Sequence, residues 1–178
     1  MANHVATKVI FPNVTDKEFK DIVKRFVGKE GVLDFETIIP MPDDIYRGNL
    51  GPEEERKYGK KNWWDWRWEH WGTKWNAYAL GEETASLTDE DEHSLFFYTA
   101  WSFAKPVIQK LAELIDRPVV AIWADEDFGF NAGQMEFLPG GIVLDEGVEP
   151  NSPEAWALVE ELWGVTYEEW KEEINEKE

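Results

Sequence analysis

The fold is decided by residues 4–27, which read HVATKVIFPNVTDKEFKDIVKRFV. Up to Phe11 the apolar residues alternate with others, as they do along a strand with one buried face. Thr15 and Glu18 then form a capping box, in which a hydroxyl and a carboxylate satisfy each other's backbone N–H groups at a helix start. An apolar stripe at helical spacing completes the run. The segment therefore predicts a strand that leads into an amphipathic helix.

The strand–helix–strand order of this region occurs twice in the chain. In the first half it closes with a predicted strand at Leu33–Ile39, which is followed by two prolines. The second copy is formed by predicted strands at Leu95–Trp101 and Pro118–Ala124, with a helix at Lys105–Asp116 between them. This is the split βαβ pattern, so the sequence predicts an α+β fold with a ferredoxin-like antiparallel sheet. Right-handed crossovers predict the strand order 4-1-3-2, with both helices on one face.

The chain is predicted to contain one core and one extension. The core covers residues 1–145, carries a tryptophan-rich insertion at 43–92 between the second and third strands, and ends in a hairpin. The extension covers residues 146–178 and is acidic and helical. Ser152 is placed to cap its first helix, and Thr166 begins its second with another capping box.

Charge is distributed unevenly along the 178 residues, which carry a net charge of −19. Residues 1–80 hold equal numbers of acidic and basic side chains, whereas residues 145–178 hold 12 acidic and two basic ones. Such a field repels nucleic acids and anionic membranes, so we expect no direct nucleic-acid binding. A basic protein, for instance a host protein, is the partner that this charge favours.

The composition also indicates a compartment. The chain has no cysteine, which favours a reducing environment and excludes thiolate chemistry. The first residues show no basic stretch followed by an apolar one, so no signal peptide is expected. No run of about 18 apolar residues is present, so no membrane span is expected. We therefore expect a cytoplasmic protein.

Six of the 11 tryptophans lie within residues 62–78, which read NWWDWRWEHWGTKWNAY. Asn62 and Asp65 can cap a short helix. Trp64, Trp68 and Trp71 are spaced i, i+4 and i+7, so they are expected to share one face of that helix.

These residues resemble the YubB-type ferredoxin-like family of plasmid, phage and bacterial accessory proteins. The segments that carry the resemblance are Met1–Val5, Ile38–Pro42, Asn62–Asp65, Trp71–Ala77 and Thr99–Ser102. The resemblance implies the fold and a mobile-element setting, and it brings no activity to this chain. After Ser102 the sequence departs from the family pattern, because paired prolines are expected there and Phe103–Pro106 stands instead.

The same region supplies the candidate ligand-binding residues, which are Asp65, Trp71, Lys74, Trp75, Asn76 and Trp101. Tryptophan rings can stack on bases, sugars or proline-rich peptides, and nearby lysines could hold a phosphate. The alternative is that the rings are core, since tryptophan is usually largely buried. We expect Trp71, Trp75 and Trp101 to be mostly buried and close together.

Catalytic and metal sites find little support. Asp65, Glu69 and His70 could form a cluster, but no second histidine stands at ligand spacing. The acidic run from Asp125 to Glu136 lacks the glycine that a calcium loop needs at its sixth position. No nucleophile motif or phosphate loop is present. We therefore expect no catalytic residue, no metal and no cofactor.

Two functions remain open. The first is a non-enzymatic, acidic protein-binding module, in one version a nucleic-acid mimic that occupies a basic host protein. Its candidate contact residues are Glu160, Glu161, Glu168, Glu169, Glu172 and Glu173. The alternative is a module that binds a small ligand or nucleotide, or a small enzyme, with its pocket at the tryptophan-rich segment.

Overall fold

A six-stranded antiparallel sheet organises the chain in the computed structural model, which describes residues 3–81, 83 and 86–177, without the side chains of 142–146 and 177. Its strands are β1 (His4–Ile10), β2 (Thr88–Asp89), β3 (Ser94–Ala100), β4 (Val119–Asp125), β5 (Ala132–Leu138) and β6 (Gly141–Gly147). Their spatial order is β2-β3-β1-β4-β5-β6. The predicted α+β class, the antiparallel sheet and the central β4-β1-β3 order are confirmed. Met1 and Ala2, which carry part of the sequence resemblance, lie outside the described residues, as do residues 82, 84 and 85 of the predicted insertion and residue 178.

The described residues form six helices, four of which begin at a residue that the sequence predicts as a cap. They are α1 (Asp16–Phe26), α2 (Pro52–Tyr58), α3 (Trp63–His70), α4 (Lys105–Ile115), α5 (Pro153–Trp163) and α6 (Tyr167–Lys177). The capping boxes at Thr15 and Thr166 are both formed, and the Ser152 hydroxyl accepts from the Ala155 N–H. Within the described residues, every helix is too short or too polar to traverse a bilayer.

The predicted second strand at Leu33–Ile39 is wrong. Residues 35–37 form a 3₁₀ turn, and the edge position beside β3 is taken by β2 instead. The reason lies in Asp34, whose carboxylate accepts from the Glu36 N–H and so favours a turn over a ladder. The Phe35 N–H donates to the Asn76 side chain, which removes another donor from any strand pairing.

One face of the sheet carries the main core. The alternate residues Val5 and Val9 of β1 point to this face, together with Leu95 and Phe97 of β3. α1 and α4 both pack here, as predicted, and Phe35 fills the space beneath the 3₁₀ turn. This core also includes part of the tryptophan-rich segment, so that segment packs on the same face of the sheet as α1 and α4.

The opposite face is covered by α5. Ala6, Phe96, Tyr98, Ile122 and Ala124 form an apolar floor, and α5 lays Ala155, Trp156, Val159 and Leu162 on it. The Trp163 indole N–H donates to the Ala124 carbonyl at 2.9 Å, which fixes the end of the helix to β4. α6 follows and packs its Tyr167 and Trp170 rings 5.0 and 5.1 Å from the ring of Trp156.

Candidate functional site

The tryptophan-rich segment forms α3 and a sharp turn after it. The Asn62 side chain caps α3 by accepting from the Asp65 N–H, as the sequence predicts. The helix ends at His70, and Gly72 in the turn after it has a left-handed backbone with a φ of +73°. A Cβ at this position would lie 2.9 Å from Cδ of Pro106, so only glycine allows the turn to approach α4 this closely.

Two hydrogen bonds fasten this turn to the end of β3. The buried Thr73 hydroxyl donates to the Ala100 carbonyl at 2.7 Å, and the Ser102 hydroxyl donates to the Gly72 carbonyl. Between them stands Trp101, a non-glycine residue with a φ of +69°. Left-handed backbone is costly for a bulky residue, so this geometry depends on the bonds around it. This backbone conformation turns the Trp101 ring toward solvent.

Four indole rings meet at the surface that results. The rings of Trp64, Trp68, Trp75 and Trp101, together with the Lys74 ammonium, are called the tryptophan surface below. Trp68 and Trp101 are nearly parallel with centroids 6.1 Å apart, and Trp64 meets Trp101 edge to face at 5.9 Å. Trp75 and Trp101 are each 37% exposed. The surface is therefore an aromatic platform that solvent reaches.

Lys74 lies in the middle of the tryptophan surface. Its Nζ is 4.7 Å from the ring centroids of both Trp75 and Trp101, and 5.1 Å from that of Trp64. A cation within about 6 Å of an indole face is attracted by the ring quadrupole. Three such contacts attract the ammonium to the rings, and the Lys74 side chain is only partly buried.

An open cavity of about 650 Å³ adjoins this surface. Its lining includes Glu55, Trp64, Asp65 and Lys74. One Asp65 oxygen accepts from the Asn62 amide at 2.6 Å, which fixes the carboxylate at the N-terminus of α3. The cavity thus combines an aromatic wall with two carboxylates and one ammonium group.

The ligand-binding candidates divide into two groups. Asp65, Lys74, Trp75 and Trp101 lie at the tryptophan surface or its cavity. Trp71 is fully buried, and its indole N–H donates to the Ile39 carbonyl at 2.9 Å. Asn76 accepts from the Phe35 N–H and donates to Asp34, so its amide holds the 3₁₀ turn. The expectation that Trp71, Trp75 and Trp101 would all be buried is correct only for Trp71.

Trp64 and Trp68 are the surface residues that were not among the candidates. Their i, i+4 spacing was the signal, but it predicts only a shared face and cannot tell whether that face is buried. Trp71, at i+7, leaves this face because it ends the helix and turns its ring into the core beside Trp66.

Two titratable groups support the segment from beneath. The Arg67 guanidinium lies 5.0 Å from the ring centroid of Trp71 and 5.2 Å from that of Trp63, and burial lowers its pKa. Burial also raises the pKa of Tyr78 to about 12. The Tyr78 hydroxyl lies 2.7 Å from Nδ1 of His4 and donates to the Thr99 carbonyl, which ties the segment to the sheet.

Metal-binding geometry is missing from the described part of the chain, where no three histidine or carboxylate side chains converge. The His70 ring instead stacks on Trp66, with centroids 4.4 Å apart. Asp125 accepts from the Asp127 N–H and from the Asn131 amide, so it shapes the loop between β4 and β5.

The partner-binding candidates lie on α5 and α6. Glu160, Glu161, Glu168, Glu169, Glu172 and Glu173 are all exposed. Glu161 pairs with Lys8 at 3.1 Å, and Glu169 completes the capping box of α6. The capping contacts lower the pKa of Glu169, so its charge persists to more acidic pH.

Comparison with known proteins gives one match. A family model described as the ferredoxin-like domain in Api92-like protein matches residues 64–166. The chain belongs to this family. The Api92-like domain, as matched, begins inside α3 and reaches the cap of α6, so it contains the whole tryptophan surface and α5. No curated protein and no solved structure matches the chain.

Proposed function

We propose that this protein is a non-enzymatic protein-binding module whose acidic outer face engages a basic partner. The acidic face consists of the exposed carboxylates of α5 and α6 defined above. The observation that carries the proposal is that each of these two helices has one packed side and one acidic, exposed side. The buried apolar residues of α5 pack on the sheet and Trp170 of α6 packs on Trp156, while the carboxylates of both helices project into solvent.

The charge of this face supports a role in association. α5 contains three glutamates and no basic residue, and α6 contains five glutamates and two lysines. A cluster of like charges raises the encounter rate with an oppositely charged protein, and salt screens the effect. Single exposed carboxylates contribute little to affinity, so the face should act as a whole.

We extend the proposal to the kind of partner and its setting. The partner is a nucleic-acid-binding protein of the host, whose phosphate-contacting surface the carboxylates occupy. The setting is the cytoplasm, with the protein acting as an accessory protein of a phage or plasmid. Support comes from the sequence resemblance to the YubB-type family and from the absence of cysteine.

Charge neutralisation tests the proposal without removing a helix. The test variant carries Glu160→Gln, Glu168→Gln, Glu172→Gln and Glu173→Gln. The control variant carries Asp21→Asn, Glu30→Gln, Asp43→Asn and Glu53→Gln, which are exposed carboxylates elsewhere and change the net charge equally. Each protein is used for affinity capture from host lysate at low and high salt, and is titrated with a lysine-rich peptide.

The proposal expects the test variant to lose a salt-sensitive partner that the control variant retains. Equal loss in both variants would mean that only net charge matters, and the acidic face would not be a specific site. Retention by both would place any binding function on another surface.

A second candidate function is favoured by the cavity beside the tryptophan surface. Its carboxylates, ammonium group and aromatic wall suit a small polar ligand, a nucleotide included, and such a site could belong to a binding module or a small enzyme. A thermal-shift screen with nucleotides, sugars and organic cations tests it. A ligand that stabilises the wild type but not Trp101→Ala would support the site.

A further inference from the structure

The arrangement of rings around Lys74 is that of a site for an ammonium ion. Trp64 and Trp101 meet at an interplanar angle of 73°, so they form two walls of a corner. Trp75 supplies a third ring, and Nζ of Lys74 lies 4.7 to 5.1 Å from all three ring centroids. The side chain of the protein itself thus occupies a position that favours positive charge.

The spacing suits a methylated nitrogen better than a bare one. A C–N bond is about 1.5 Å long, and a methyl carbon rests about 3.5–4.0 Å from an aromatic carbon. A nitrogen whose methyl group points at a ring therefore sits about 5 Å from the ring centroid, and Nζ of Lys74 lies 4.7 to 5.1 Å from the three centroids. A bare ammonium could approach the rings more closely, so Lys74 fills the corner loosely.

Lys74 is also free to leave the corner. Within the described part of the chain its ammonium has ring contacts but no hydrogen bond or ion pair. Its side chain lines the neighbouring cavity, where the carboxylates of Asp65 and Glu55 offer an alternative position for the charge. A lysine side chain has four rotatable bonds, so this move needs no change of the backbone.

We propose that the tryptophan surface binds a methylated ammonium group, which displaces Lys74 from the corner into the cavity. The proposal deepens the second candidate function, since it names the ligand class for that surface, and it does not depend on the acidic face. The net charge of −19 attracts such a cation, and a methylated ammonium loses less hydration than a lysine when it enters an aromatic site. The group could come from a trimethyllysine of a protein or from a small quaternary amine.

Isothermal titration calorimetry with three probes distinguishes these sources. The probes are tetramethylammonium, a short basic peptide with one trimethyllysine, and the same peptide without methylation. We expect the trimethyllysine peptide to bind more tightly than its unmethylated form. Tighter binding of tetramethylammonium than of either peptide would assign the site to a small quaternary amine. No binding of any methylated probe would overturn the proposal.

Removal of Lys74 gives the sharpest result. Because Lys74 competes for the corner, Lys74→Ala should raise the affinity for tetramethylammonium on the order of tenfold, as expected when a self-occupied state is removed. Lys60→Ala is the matched control, because it deletes one exposed positive charge that lies just before the tryptophan-rich segment and outside the corner. An equal gain in both variants would mean that only net charge matters. Weaker binding of tetramethylammonium by Lys74→Ala would mean that Lys74 does not compete with the cation. Either result overturns the proposal.

Loss of a wall completes the test. Trp101→Ala should weaken tetramethylammonium binding at least on the order of tenfold, whereas Trp170→Ala, in the aromatic cluster of α6, should not. If Trp101→Ala does not fold, Trp75→Leu replaces it, since that ring is also exposed. Unchanged binding after loss of either wall would contradict the site. A nucleotide that binds while the cations do not would leave the second candidate function standing and reject this ligand.

Discussion

Trp71 and Trp75 lie four residues apart and experience opposite environments. Trp71 is fully buried against Phe35 and Trp66, whereas Trp75 is 37% exposed. Trp71→Ala should lower the free energy of unfolding by about 3–5 kcal/mol, because it removes transfer energy and leaves a cavity. Trp75→Ala should cost about 1 kcal/mol or less. Urea unfolding of the two variants measures both values, and equal losses would mean that Trp75 belongs to the core.

Tyr78 should make stability depend on alkaline pH. Its pKa is raised to about 12 by burial, and an unfolded tyrosine titrates near about 10. Because folding favours the protonated hydroxyl, its contribution is fully present below about pH 10 and is lost as the pH rises towards about 12.

The measurement is the free energy of unfolding at several pH values across that window. It should fall with pH in the wild type and fall less steeply in Tyr78→Phe. Tyr58→Phe is the control, because Tyr58 stacks on Tyr46 in the insertion rather than on the sheet. Parallel slopes for Tyr78→Phe and wild type would contradict the assignment.

At the scale of elements, local signals predicted most of the fold. The capping boxes, the helix stripes and the strands β1, β3 and β4 were all visible in the sequence, because each depends on neighbouring residues. The failure at Leu33–Ile39 has a long-range cause in addition to the local turn at Asp34. Its apolar residues do enter the core, but the Asn76 side chain, 41 residues away, takes the Phe35 N–H. No local pattern reveals such a partner.

The candidate site shows the same limit. The tryptophan-rich segment was an obvious feature, but its orientation depends on Thr73 and Ser102 reaching across the turn and on the left-handed backbone of Trp101. Spacing alone placed Trp64, Trp68 and Trp71 together. The end of α3 at His70 separates them, because the turn that follows sends Trp71 into the core.

Deletion of α6 alone and deletion of both α5 and α6 should have different effects on folding. Deletion of residues 165–178 removes α6 and should leave a folded, monodisperse protein, because α6 packs on the Trp156 ring of α5 while α5 itself still covers the sheet. Deletion of residues 150–178 also uncovers the apolar floor of Phe96, Tyr98 and Ile122. Exposed apolar area of this kind favours aggregation, so the longer deletion should bind a hydrophobic dye and aggregate. Gel filtration and dye fluorescence measure this, and two equally soluble truncations would show that α5 is dispensable for the fold.

For the whole molecule, salt should act on folding and on binding with opposite signs. A net charge of −19 destabilises the compact state through self-repulsion. Raising the ionic strength from about 0.01 M to about 0.15 M shortens the Debye length from about 30 Å to about 8 Å, which screens this repulsion. The melting temperature should therefore rise with salt, while the affinity for a basic partner should fall.

The variant with four neutralised carboxylates on the acidic face should melt higher than wild type at low salt and respond less to added salt. If the wild type instead melted lower as salt increased, ion pairs such as Lys8 with Glu92 and Glu161 would outweigh the repulsion. The net charge would then not destabilise the fold, and its presence would give no argument for a role in binding.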